Sequence, residues 1–140
     1  MTKLEETYDV LYKENIKVDN FELNDNAFIL NYEGNYYIAL NNTLDNTNKY
    51  IVLNEELGHY YTNSLYKVYN NNTWIRKMEY RAKKWQINKL VPLDELIKHK
   101  GKNIYELADI FEVSADFMQK ALIYYEDLGL LEGELNGTEV

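Results

Sequence analysis

Cysteine is absent from this 140-residue chain, so thiolate metal sites, disulfides and cysteine nucleophiles are all excluded. The absence fits a reducing compartment. No apolar run approaches the roughly 20 residues needed to cross a bilayer. The start, Met1-Thr2-Lys3-Leu4-Glu5-Glu6, lacks the apolar stretch of a signal peptide. A cytoplasmic protein with no membrane partner is expected. Positive charge is scarce, with 15 basic residues against 23 acidic ones and a formal net charge of -8. Such a chain repels phosphate backbones unless a local patch overrides the total, so direct nucleic-acid binding is not expected. The remaining composition, 46% apolar and 27% charged, is that of an ordinary globular protein. The length suits a single domain.

Apolar spacing organises the chain. Leu4, Tyr8, Leu11 and Tyr12 recur at helical spacing, predicting an amphipathic helix over residues 3–16. Ala27–Tyr32 and Tyr36–Leu40 are short aromatic and aliphatic runs separated by Glu33-Gly34-Asn35, the signal of an antiparallel hairpin. A polar loop, 41–48, follows. Tyr50, Leu53, Leu57, Tyr60 and Tyr61 then recur at helical period, with Thr47 or Asn48 as N-cap. After the break at Asn70-Asn71-Asn72-Thr73, a helix from about Trp74 to Leu90 carries Trp74, Met78, Ala82, Trp85 and Leu90 on its inner stripe. Pro92 closes it, because the residue before a proline is pushed out of helical geometry. A short helix over Leu93–His99, ended by Gly101, precedes two more, Ile104–Phe111 and Ala115–Leu128, with Ser114 capping the last. The expected organisation is a core at 26–92, a C-terminal helical extension at 93–128 and a tail at 131–140. The fold class expected is α+β, a small antiparallel sheet packed with about six helices.

Chemistry concentrates in Asn54-Glu55-Glu56-Leu57-Gly58-His59-Tyr60. This is the zinc-protease pattern H-E-x-x-H with glutamate in place of its first histidine. Positions i and i+4 of a helix stack on one face, so Glu55 and His59 can bind one metal ion. Glu56 is then placed to act on water at that ion. A catalytic zinc site needs about three protein ligands and one open position. The helix after the break offers Glu79 as the third. Gly58, with no side chain, lets another backbone approach this helix closely, and Tyr60 and Tyr61 are candidates for contact with a developing oxyanion, set against a chain with 14 tyrosines.

These residues resemble the ImmA/IrrE family of metallopeptidases. That family pairs a His-Glu-x-x-His helix with a later Glu-x-x-Ala-x-x-aromatic helix ending near a Leu-x-Pro. Here the second part is Glu79-Tyr80-Arg81-Ala82-Lys83-Lys84-Trp85, followed by Leu90-Val91-Pro92. Ile38-Ala39-Leu40-Asn41 is similar to the family's lead-in strand. The resemblance spans roughly residues 26–128 and departs from the family at Glu55. It implies Glu55, His59 and Glu79 as metal ligands and Glu56 as general base. It implies a zinc cofactor, with manganese or another divalent ion better tolerated because of the extra carboxylate. A peptide would pair with an edge strand around Ile38–Asn41. The implied substrate is a helix-turn-helix transcriptional repressor, often encoded by a phage or integrative element. The alternative is a relative that binds such a repressor without cleaving it.

Blander readings stand beside these. Glu55 and Glu56 are equally two exposed helix carboxylates, and Glu79 can pair with Lys83 at i+4. Leu107–Ser114 looks like the turn of a helix-turn-helix, yet Asp116 stands where a DNA-reading helix needs a basic or amide side chain. The basic run Arg76, Lys77, Arg81, Lys83 and Lys84 reads as a solvated helix face.

Overall fold

A computed structural model describes residues 1–65 and 71–131. The chain forms two compact units, Met1–Gln86 and Ile87–Val140, the second described as far as Leu131. Among the described residues, three strands and six helices make an α+β fold, as expected.

In the first unit, helix α1 (Lys3–Lys13) starts from a capping box between Thr2 and Glu5. It stops three residues short of its expected end, because Asn15 adopts a left-handed conformation with φ 59°. The chain then enters a strand missed in the sequence, β1 (Ile16–Phe21). Its alternation of Ile16 and Val18 with Lys17 and Asp19 is the two-residue period of a strand, hidden behind the preceding helical pattern. The hairpin between β2 (Ala27–Tyr32) and β3 (Asn35–Asn41) forms where expected. Glu33 and Gly34, at φ 53° and 83°, give the two-residue turn whose twist suits a hairpin. The Asn31 side chain accepts a hydrogen bond from the Gly34 N–H at 3.0 Å.

The strand order is β1-β3-β2, with β3 parallel to β1 and antiparallel to β2. The sheet is therefore mixed rather than antiparallel, because β1 adds a parallel partner. It also places β3 in the centre, so the segment Ile38–Asn41 is not an edge. The continuous burial of Ile38, Ala39 and Leu40 reflects that central position.

Helix α2 (Asn46–Tyr61) begins at Asp45, whose carboxylate accepts the Asn48 N–H at 2.8 Å, two to three residues before the expected cap. Leu53 and Leu57 of α2 meet Leu11, Ile16, Ile38 and Leu40 in one apolar core. The buried Asn54 amide donates to Thr7 Oγ1 at 3.1 Å and to the Tyr50 carbonyl, tying α2 to α1. Helix α3 (Asn72–Leu90) starts with Asn71 accepting the Trp74 N–H at 3.0 Å. Trp74 is not on the inner stripe. It is 48% exposed, with the Lys77 ammonium 5.1 Å from its ring centre. The rest of the expected stripe, Met78, Ala82, Trp85 and Leu90, does turn inward, with Ile75 in place of Trp74 at its start. Spacing by threes and fours allows either choice.

The second unit contains α4 (Leu93–Ile97), α5 (Ile104–Phe111) and α6 (Ala115–Asp127). Asn103 caps α5 and Ser114 caps α6, the latter as expected. Leu96, Leu107, Met118, Ala121 and Tyr125 are buried, and the Tyr125 hydroxyl donates to the Val91 carbonyl at 2.7 Å. Leu131 is buried too, and the rest of the expected tail lies outside the described residues. Among the described residues, no helix is long and apolar enough to cross a membrane.

Candidate metal centre

The site rests on how α2 meets α3. Four pairings run along the two helices in opposite chain directions: His59 with Glu79, Gly58 with Ala82, Glu55 with Lys83, and the Ile51 carbonyl with the Gln86 amide. On α3 these are positions i, i+3, i+4 and i+7, one face of a helix. At the closest point a Cβ on Gly58 would lie 2.5 Å from the Ala82 carbonyl oxygen. Glycine at 58 and a small residue at 82 therefore set the helix separation, as the missing side chain of Gly58 suggests. That separation brings His59 Nε2 to 3.4 Å from Glu79 Oε1.

The turn after α2 orients the imidazole. The Ser64 N–H donates to the His59 carbonyl at 2.9 Å, and Thr62 Oγ1 donates to the Gly58 carbonyl at 2.7 Å. The Ser64 carbonyl, held in place, lies 2.9 Å from His59 Nδ1. A carbonyl only accepts, so Nδ1 carries the proton and Nε2 faces Glu79. Histidines that bind metals are oriented in this way, by a backbone carbonyl on the far nitrogen. Burial disfavours charge on His59, but its hydrogen bonds to the Glu79 carboxylate and the Ser64 carbonyl and the charges of Glu56 and Glu79 outweigh it and raise its pKa.

Glu56 and His59 are 7% and 5% exposed. Burial raises the Glu56 carboxyl to about 7, with the charges of Glu55 and Glu79 pushing the same way against His59 and Lys83. Both Glu55 oxygens meet the Lys83 ammonium, at 3.1 and 3.3 Å. A cleft of about 500 Å³ opens over Glu55, Glu56, His59 and Glu79. Its opposite wall is the start of β2 and the loop before it, Asp25–Ile29. Asn41 holds that loop, its amide donating to the Leu23 and Asp25 carbonyls at 3.1 and 3.2 Å.

All four residues singled out in the sequence thus line one cleft. His59 and Glu79 face each other, Glu56 lies buried beside them, and Glu55 is engaged elsewhere. Among the described residues, no three histidine or carboxylate groups are gathered closely enough to hold one ion. The donors nonetheless suit a divalent ion in kind: an oriented imidazole, a facing carboxylate and a second carboxylate one helical turn away. Lys83, read in the sequence as a partner for Glu79, pairs with Glu55 instead. No signal in the sequence gives that pairing, because it follows from the α2–α3 register. Tyr60 and Tyr61 do not line the cleft. Tyr60 packs edge-on against Tyr36 at 4.9 Å, while Tyr61 stacks on Trp85 and its hydroxyl engages Glu14. Arg76, Lys77, Arg81 and Lys84 line a separate shallow hollow with Tyr80 on α3.

No curated protein and no solved structure matches the chain. A protein-family comparison matches residues 13–122, well over half of the length, to Peptidase_M78, described as the IrrE N-terminal-like domain. With the metalloprotease-like helix facing a carboxylate on the next helix, the chain belongs to the IrrE N-terminal-like domain family, a metallopeptidase-like family.

Proposed function

We propose that this protein is a metal-dependent endopeptidase, with Glu55, His59 and Glu79 as ligands of a divalent ion and Glu56 as general base. The observation that carries the reading is His59, held by the Ser64 carbonyl with Nε2 directed at Glu79, beside the buried Glu56. Zinc is the ion expected from the donor set, with manganese an alternative. When bound, the ion would supply Lewis-acid polarisation of the scissile carbonyl. Glu56, raised to about 7, is suited to take a proton from the attacking water near neutral pH and return it to the leaving amine. The outer edge of β2 borders the cleft through Ala27, Phe28 and Ile29, so an extended peptide would add there rather than at the central β3.

The family resemblance suggests as substrate a helix-turn-helix repressor of a phage or integrative element, cleaved in the cytoplasm. One observation favours a second reading. Glu55 is paired with Lys83, so a protein that binds a repressor without cutting it fits the same cleft. Incubation with a repressor encoded beside the gene, with zinc present, separates the two. Cleavage that disappears in Glu56→Gln supports the peptidase. Stable binding without cleavage in both proteins supports the second reading.

A further inference from the structure

We propose that Lys83 is a built-in counter-cation that holds Glu55 away from the metal centre, so that a divalent ion must displace it to gain its third ligand. The inference rests on the metal reading above and adds to it the competitor for one ligand. The α2–α3 register places Lys83 opposite Glu55, one helical turn from where Glu79 opposes His59. Both Glu55 oxygens contact the ammonium, at 3.1 and 3.3 Å, so an ion that takes either oxygen competes with that cation for the carboxylate's charge. Glu55 is the more enclosed partner, with its side chain 23% exposed against 51% for Lys83. The exposed lysine is therefore the one that can swing into solvent on a flexible stem. Three carboxylates, Glu55, Glu56 and Glu79, surround one imidazole, and their mutual repulsion without an ion favours a cation among them.

As a positioning residue, Lys83 sets metal affinity through Glu55 and touches no reacting atom. The test is titration of the full, metal-stripped chain with Zn²⁺ alone, read by calorimetry or by competition with a chelating dye. Lys83→Met is expected to bind roughly tenfold tighter than wild type or more, the scale on which outer-sphere partners change metal affinity. Lys83→Arg, which keeps a cation facing the carboxylate, is expected to bind like wild type. His59→Ala is expected to abolish binding in either background. Lys83→Gln serves as a second charge-removing variant, and circular dichroism verifies that each variant is folded. Equal or weaker affinity in Lys83→Met and Lys83→Gln overturns the inference and leaves the metal reading standing. Absence of binding in wild type and in both variants overturns both.

Discussion

Glu56 carries a charge conflict that pH resolves. Its carboxyl is raised from 4.5 to about 7 chiefly by burial, so the folded state holds that proton more tightly than the unfolded state. A raised folded value means that the contribution to stability is complete below 4.5 and is lost as pH rises to about 7. His59, also raised, works in the same direction, its contribution vanishing as pH climbs through its folded value. The Glu56 share is on the order of 3–4 kcal/mol, at about 1.4 kcal/mol per pH unit. Urea unfolding of the metal-free protein should therefore show Glu56→Gln more stable than wild type at pH 8, with the gap closing near pH 4.5. An equal gap at both pH values would contradict the buried, charge-averse setting of Glu56. At this scale the placement of Glu55 and His59 on one face of α2 was legible in the sequence because i, i+4 spacing on a helix is local geometry. The pairing of Glu55 with Lys83 was not, since it joins residues 28 apart across a helix interface.

Helix α2 owes its position to apolar packing on one side and to Gly58 on the other. Leu53 and Leu57 are buried in the first unit's core, each worth about 1.5–3 kcal/mol of apolar burial. Gly58→Ala would drive a Cβ against the Ala82 carbonyl, so the helices must separate. The expected cost is about 1–3 kcal/mol, typical of overpacking. Zn²⁺ affinity should fall with it, because His59 and Glu79 move apart. A Gly58→Ala protein with unchanged melting temperature and metal affinity would show that the close approach does not set the site. Sequence periodicity located α2 and the hairpin well, the hairpin because Glu33-Gly34 takes two positive φ values. It missed β1, since Ile16 continues the spacing of α1 and only the left-handed Asn15 separates the two elements. It also began the α3 stripe at Trp74 instead of Ile75, while Met78, Ala82, Trp85 and Leu90 turn inward as expected.

The second unit is held by its own core, and the Tyr125 hydroxyl to Val91 carbonyl bond at 2.7 Å lies inside it. Tyr125→Phe is expected to lose about 1–2 kcal/mol in chemical unfolding, since a buried carbonyl is left without its donor. An unchanged midpoint would mean that another donor replaces the hydroxyl. Only three residues, 112–114, join α5 to α6, but α6 opens with Asp116, paired with Lys120 at 3.5 Å. With a net charge of -8, the protein is expected to show no salt-dependent retention of duplex DNA in a mobility-shift assay at physiological ionic strength. Retention that weakens steeply with salt would assign these helices a role outside the peptidase reading. The most direct measurement for the whole account is metal content after loading with zinc and removal of excess. Wild type should retain about one equivalent per chain, and His59→Ala and Glu79→Gln close to none. Equal metal in all three proteins, or none in wild type, would contradict a centre built between α2 and α3.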